Sequence, residues 1–380
     1  MRNLSLLLCF ALISIPLGAQ SNAEPTVVKS DHYVVTSWAG SEKANETLAL
    51  MEALLQRYNQ LFLFDLSKLP APLAVTLYSS KEDFVKALEG TTASPPEDFV
   101  FLQYTDPAQS VLAGWNTADL AHPLAFQGFY QYLWSFLPRS PSWIETGLAY
   151  HFWNVSWDGT SLGPVTEEPF LDALQARWAT QPVTDLSALL TAPAANELDS
   201  WALVTFLLQS TDPVYPRILG SILGNLAPAA TLEANRQSAL QRFQSGKSLS
   251  TGSKDLAAYW AVQTSFSTLL AQGVAKMKDK DYAGALKLFQ SALVQRPADD
   301  QARYYAGLAS YELKDYPQAE AAFALVSTKT LPAGLLEYAK GLTAYAQKKW
   351  DDAKTNLAKA IERNETDYKK AAQTVLDLIK

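Results

Sequence analysis

The sequence predicts a mostly helical protein in two parts: an α+β domain with a small sheet plus helices, followed by an all-α solenoid. Three observations predict this organisation. Short apolar runs alternate with amphipathic segments at the start of the chain, which is typical of mixed strands and helices. Prolines then separate helical segments over residues 158–260. From Phe266 onward the sequence repeats with a period of 34 residues, which is typical of stacked helix pairs.

The α+β part begins with strands and helices in alternation. Apolar and β-branched residues predict strands at 32–36, 73–78, 99–104 and 111–115. Apolar residues at three- and four-residue steps predict a helix at 41–62, and the start SSKEDF predicts another at 80–88. We assign residues 24–157 to an α/β core and residues 158–260 to a helical subdomain of the same domain.

The stretch from Leu124 to Trp153 predicts two helices joined by a turn. Pro138 ends the first helix, and Pro141 lies in the first turn of the second, where a missing N–H costs nothing. Six large apolar residues of the first helix recur at three- and four-residue steps and predict one buried face. They are Phe126, Phe129, Tyr130, Leu133, Trp134 and Leu137.

The second of these helices carries a recognisable signature. It consists of Pro141, Trp143, Ile144, Gly147, Leu148 and Ala149. This pattern resembles the helix of gluzincin metallopeptidases, the peptidase MA-like kind, that supplies their third metal ligand, a glutamate. Thr146 stands at the place of that glutamate. Glu145 lies one residue earlier and so points about 100° away around the helix. The resemblance covers residues 32–157.

In that family the first helix carries the motif HExxH, with two histidine ligands and a glutamate base. The register that best keeps the spacing places Gln127, Gly128 and Gln131 at those positions. A second register uses His122, Pro123 and Phe126. Neither register supplies three ligands or a carboxylate base, both of which zinc hydrolysis of this type requires. The sequence therefore predicts a non-catalytic pseudopeptidase without a metal or another cofactor.

Two other hydrolase interpretations start from single motifs. A displaced metal site would recruit His122 and His151 together with Glu145 or Glu167, and the chain would then be an active metal-dependent peptidase with an unorthodox ligand set. Residues 159–163 (GTSLG) fit the GxSxG pattern of serine hydrolases, but Pro164 follows at once and no histidine lies beyond His151. We therefore interpret GTSLG as a hairpin or loop.

The repeats are defined by four columns of residues with a spacing of 34. The columns are Gly273, Gly307 and Gly341; Tyr282, Tyr316 and Trp350; Ala285, Ala319 and Ala353; and Phe289, Phe323 and Leu357. This pattern resembles tetratricopeptide repeats, in which small residues let paired helices approach and larger ones fill the space between repeats. It predicts repeats at 266–299, 300–333 and 334–367, with a capping helix that extends to residue 380.

The repeat resemblance also implies a concave face formed by the first helix of each repeat. Six positions in the second and third repeats are predicted to contact a protein or peptide partner: Tyr304, Leu308, Tyr311, Tyr338, Leu342 and Tyr345. Leu270 and Val274 stand where repeats that clamp a carboxylate carry lysine and asparagine, so a C-terminal carboxylate is not the expected ligand. The N-terminal domain of this chain is an alternative occupant.

Residues 1–23 have the pattern of a secretory signal peptide. Arg2 precedes an apolar run, small residues follow it, and we expect cleavage after Ala23. The single cysteine, Cys9, would leave with the signal, so the mature chain has no disulfide. No later apolar stretch reaches membrane-spanning length. We therefore expect an exported protein, periplasmic or extracellular, that acts as a scaffold or adaptor in the cell envelope.

Charge differs between the two parts of the chain. Residues 24–260 carry 13 basic and 24 acidic side chains, a net charge of −11, whereas residues 261–380 carry 17 and 14, a net charge of +3. The acidic larger part argues against nucleic acid as its partner, because the phosphate backbone attracts basic surfaces.

Overall fold

The computed structural model describes residues 24–92, 98–163, 168–182, 185–327 and 330–379. The predicted signal peptide and Glu167 lie outside these residues. The chain divides into two compact units, with the boundary between Val262 and Gln263. Within the described residues, no helix is both long enough and apolar enough to cross a membrane.

The first unit contains a mixed five-stranded sheet. Its strands are β1 (Thr26–Lys29), β2 (Tyr33–Ser37), β3 (Leu73–Tyr78), β4 (Phe99–Leu102) and β5 (Val111–Trp115), in the order β1-β2-β3-β5-β4. The inner pairs β2–β3 and β3–β5 are parallel, and both edge strands run antiparallel to their neighbours. The four predicted strands are therefore confirmed, with β4 ending earlier than expected. The edge strand β1 was not predicted.

Ten helices of the first unit surround the sheet or follow it in the described chain. They are α1 (Ser41–Phe62), α2 (Lys81–Ala87), α3 (Ala121–Phe136), α4 (Ser142–Trp153), α5 (Glu168–Trp178), α6 (Leu186–Thr191), α7 (Glu197–Gln209), α8 (Val214–Leu223), α9 (Leu232–Gly246) and α10 (Leu249–Ala261). The amphipathic α1 has the predicted limits. Ser80 caps α2 by accepting a hydrogen bond from the backbone N–H of Asp83.

The two faces of the sheet are packed differently. On one face, Val35, Val75 and Leu112 join α1, α3 and the later helices in one large core. Tyr58 connects α1 to α3, because its hydroxyl donates to the carbonyl of Ala125 at 2.7 Å. The opposite face has a smaller core around Tyr78, beneath the short α2. The helix α3 therefore packs against both α1 and the sheet, and these contacts fix the position of the predicted peptidase-like site.

The second unit consists of three helix pairs and one further helix. They are α11 (Phe266–Lys278) with α12 (Tyr282–Gln295), α13 (Asp300–Glu312) with α14 (Tyr316–Ala324), α15 (Leu335–Ala346) with α16 (Trp350–Arg363), and α17 (Glu365–Leu376). The glycine column explains the close packing within each pair. A Cβ on Gly307 would lie 2.5 Å from the ring of Phe323, and Gly273 is equally close to Phe289. The predicted repeats are consistent with these helix pairs.

The first helix of each pair ends in the same turn. Its last turn is followed by Lys280, Lys314 or Lys348 in the left-handed conformation, with φ of 61°, 63° and 60°. After Lys314, the N–H of Asp315 donates to the carbonyl of Ser310, which is the Schellman pattern of a helix end. Glycine is the usual residue at this position, so the three lysines adopt it at an energetic cost.

Candidate functional site

Two glutamines fix α3 against the sheet. The Oε1 atom of Gln127 accepts a hydrogen bond from the backbone N–H of Phe101 at 3.1 Å, on the edge strand β4. The Nε2 atom of Gln131 donates to the carbonyl of Ala74 in β3 at 2.8 Å, and Gln131 is fully buried. Both side chains thus form hydrogen bonds with backbone groups of the strands. These bonds satisfy polar groups of the sheet that α3 covers.

Gly128 faces the neighbouring helix α1 and not the sheet. A Cβ at this position would lie 2.9 Å from Cε of Met51 and 3.4 Å from the hydroxyl of Tyr58, so the position points into the contact between α3 and α1. A glutamate there would have no space. The structure therefore does not bring Gln127, Gly128 and Gln131 together at one point as the predicted register required.

Thr146 lies opposite a different residue of α3. The hydroxyl of Tyr130 lies 3.5 Å from Oγ1 of Thr146. One turn earlier on α3, Phe126 contacts the rings of Tyr150 and Trp153, with ring centroids 5.1 and 5.3 Å apart. The helix face that meets α4 is therefore the face of Phe126 and Tyr130, one residue before the predicted register.

If the resemblance to the peptidases holds, this geometry places the expected ligand positions one residue earlier on α3. A pair of ligands at i and i+4 that also reached Thr146 would come from Phe126 and Tyr130, and Gln127 would stand where the base follows the first ligand. A phenyl ring cannot bind a metal, and Gln127 cannot take a proton from water. Sequence reasoning missed Tyr130 because apolar residues occur on more than one face of α3.

The signature of α4 is explained by packing. Trp143, Leu148 and Ala149 are buried in the large core. A Cβ on Gly147 would lie 2.5 Å from the carbonyl oxygen of Ser200, because α4 packs closely against α7. Pro141 occupies the N-cap position of α4. These residues therefore hold α4 in place through packing.

Glu145 lies in the first turn of α4 and points away from Thr146, as expected from its position. Its carboxylate accepts a hydrogen bond from the hydroxyl of Ser140 and lies near Arg236 of α9. Burial raises the pKa of the Glu145 carboxyl to about 7, although Ser140 and Arg236 both act to lower it. Glu145 is thus a half-buried acid whose pKa is raised to near neutrality.

In the part of the chain that the structure describes, no metal site is evident. That part contains no group of three or more His, Cys, Asp and Glu residues able to hold an ion. His122 pairs with Asp119, and His32 pairs with Glu52 at 3.0 Å. Glu145 binds Ser140, so the displaced ligand set of His122, His151 and Glu145 is not assembled, and its alternative member Glu167 lies outside the described residues.

The GTSLG segment forms a hairpin turn. Trp157 and Leu162 form an antiparallel bridge, and the carboxylate of Asp158 accepts hydrogen bonds from the backbone N–H groups of Thr160 and Ser161, both at 2.8 Å. These bonds hold the pKa of Asp158 well below its usual range. The interpretation of this segment as a hairpin is confirmed.

The predicted contact residues of the repeats differ in exposure. Tyr304 is only 6% exposed and packs between repeats with Phe323 and Leu336, which leaves it little surface for a partner. Tyr338 and Tyr345 are half-buried, and their rings contact Tyr368 of α17 and Trp350 of α16. Contacts with α17 and α16 therefore cover part of these two rings.

Three further predicted contact residues on the first helices of the second and third repeats are also half-buried. They are Leu308, Tyr311 and Leu342. Tyr311 contacts Tyr316 with ring centroids 5.6 Å apart. Leu342 lies outside the hydrophobic clusters of the second unit. These three side chains keep surface that a partner could contact.

Comparison with known proteins supports the repeat assignment. Residues 270–329 match the sequence model of the tetratricopeptide repeat family, across the first and second predicted repeats. Repeats of this family form modules for protein–protein interaction. No curated protein matches the chain.

One solved structure, titled "CopN-Scc3 complex", has a chain 17% identical to this one, and the match covers 32% of this chain and 74% of that chain. Its TM-score is 0.28, so it carries no argument about fold or partner.

Proposed function

We propose that this chain is an exported, non-catalytic scaffold or adaptor that binds a protein partner through its tetratricopeptide repeats. The repeat match at 270–329 carries the proposal. The half-buried side chains of Leu308, Tyr311 and Leu342 support it, because large apolar side chains with free surface are common anchors of interaction sites.

Loss of partner binding tests the role of the repeats. We expect the double variant Tyr311→Ala and Leu342→Ala to recover far less of a partner from cell-envelope extract, with a loss of about 1 to 3 kcal/mol for each anchor. The matched control is Leu325→Ala, which removes an apolar side chain that is 64% exposed and lies outside the first helices of the repeats. Melting temperatures of all variants are measured in parallel. Equal recovery by the folded double variant and the wild type would contradict the proposal.

The peptidase-like first unit supports the non-catalytic part of the proposal. The side chains at the substituted positions bind strand backbone or pack as rings, and Thr146 replaces the glutamate of the family signature. Export is proposed from the signal pattern of residues 1–23, and the cell envelope is the environment in which such a scaffold would act.

One measurement tests both export and metal content. Native mass spectrometry of the protein from its producing cells should give a chain that begins at Glu24 with no bound zinc. The reason is that signal peptidase cleaves after small residues such as Ala23, and that the zinc chemistry of this family needs three ligands and a base. A mass that retains residues 1–23, or one zinc per chain together with chelator-sensitive proteolysis, would count against the proposal.

A further inference from the structure

Five half-buried rings form a surface patch on the first unit, separate from the repeats. The aromatic patch consists of Phe126 and Tyr130 on α3, Tyr150 and Trp153 on α4, and Phe170 on α5. Four of these rings also pack against the large core, which holds them in place. The patch is therefore a fixed aromatic surface whose outer part is reached by solvent.

The rings of the patch meet at steep angles. Phe126 lies at the centre, with interplanar angles of 75°, 88° and 77° to Tyr130, Tyr150 and Trp153. Phe170 meets Tyr150 at 69°, with centroids 4.9 Å apart. Rings in this arrangement turn their faces in different directions, so that a group placed on the patch meets both faces and edges. The negative face of an aromatic ring attracts a cation.

A carboxylate borders the patch. Oε2 of Glu197, at the start of α7, accepts a hydrogen bond from the hydroxyl of Tyr150 at 2.7 Å. Within the described residues, no lysine or arginine forms an ion pair with Glu197. The hydroxyl bond fixes the carboxylate beside the rings and leaves its negative charge uncompensated.

The helices around the patch contain few lysine or arginine side chains. The segments of α3 and α4 contain no lysine or arginine, and Arg177 is the only such residue in α5 and α7. Arg177 is already bound by Asp199, with Nη2 to Oδ2 at 2.6 Å. Arg236 of α9 lies near Glu145 and forms an ion pair with Glu233, with Nη1 to Oε2 at 3.8 Å. The electrostatic environment of the patch therefore favours a positive ligand.

We propose that the aromatic patch binds a lysine or arginine side chain of a protein partner, with the cation against the rings and beside Glu197. An aromatic surface supplies cation–π attraction and contact area, and the carboxylate adds a charge-assisted hydrogen bond. An apolar side chain would use the rings but would leave Glu197 without a cationic partner. The inference is independent of the proposed function of the repeats.

The test compares how tightly two short peptides bind to the full-length protein. One is acetyl-Ala-Arg-Ala-amide, and the other carries citrulline in place of arginine, which keeps the shape and removes the charge. We expect the arginine peptide to bind about tenfold more tightly in titrations followed by NMR, and this preference to fall with added salt. Glu197→Gln should abolish the preference while keeping an acceptor for Tyr150. Trp153→Leu should reduce it by removing a ring outside the core cluster.

The control is Glu42→Gln, which removes a carboxylate from the exposed start of α1. It should keep the full preference for arginine. Unfolding midpoints of the three variants show whether each is folded. Equal binding of the two peptides, no binding of either at millimolar concentration, a preference that survives Glu197→Gln in a folded protein, or one that Trp153→Leu leaves undiminished would overturn the proposal.

Discussion

Gly147→Ala is expected to lower the stability of the first unit by about 2 kcal/mol or more. The new Cβ would lie 2.5 Å from the carbonyl oxygen of Ser200 and 2.6 Å from Cγ2 of Val204. Backbone on α7 cannot move aside as a flexible side chain would, so α4 and α7 must separate, at a cost of about 3 kcal/mol for a tightly packed contact. The better helix propensity of alanine recovers about 1 kcal/mol of this loss.

Gly220→Ala provides the matched control. Gly220 is exposed within α8, and a Cβ there would meet no atom within 4 Å. This variant should gain up to about 1 kcal/mol from helix propensity alone. Thermal unfolding followed by tryptophan fluorescence is the measurement, because nine of the ten tryptophans precede Val262. A loss of 2 kcal/mol corresponds to about 4 to 8 °C. Equal midpoints for the two variants would show that the α4–α7 contact is not tight.

Local pattern was enough to predict most elements of the first unit. The helix α1 and the strands β3 and β5 have the predicted limits, because apolar residues recur at helical steps along α1 and the two strands are short apolar runs that end at Ser79 and Asn116. The strand β1 could not be predicted in this way. It is four residues long and lies at an edge, where Val27 is 50% exposed, so its sequence carries little of the pattern that burial imposes.

The candidate site was predicted less well than the fold. The signature of α4 placed Thr146 correctly, but the facing residue on α3 depends on how the two helices are rotated against each other. Gln127 and Gln131 lie next to Phe126 and Tyr130 around the helix, so spacing alone could not separate the two faces. Hydrogen bonds to Phe101 and Ala74 turn the glutamines toward the sheet, and these partners are distant in sequence.

In the repeats, likewise, contacts within one helix pair were predicted from the sequence, whereas contacts with the next repeat were not. The columns of glycine, alanine and phenylalanine were predicted because each acts within one helix pair, 16 residues apart for Gly307 and Phe323. The burial of Tyr304 was not predicted, because it depends on the next repeat, where Leu336 packs against it. A side chain that would be exposed in an isolated repeat can be buried by the neighbouring repeat.

Glu145→Gln is expected to change how the stability of the first unit depends on pH. Burial raises the pKa of Glu145 from 4.5 to about 7, so the folded state binds a proton more tightly than the unfolded state. The stabilisation from this proton is complete below about pH 4.5 and is lost as pH rises to about 7. The wild type should therefore lose about 2 to 3 kcal/mol through this group between pH 5 and 8.

Glutamine keeps an oxygen that can accept the hydrogen bond from Ser140 but cannot ionise, so the variant should lose less stability over this range. The measurement is urea unfolding followed by tryptophan fluorescence at pH 5 and pH 8, and the difference between the two free energies is compared with that of the wild type. Glu82→Gln is the control, because Glu82 lies exposed on α2 and should leave the difference unchanged. If Glu145→Gln and the wild type lose the same stability between the two pH values, the acid is not buried in the folded protein. If the variant is the more stable protein at pH 8 alone, the charge of Glu145 destabilises the folded first unit at that pH, as its raised pKa implies.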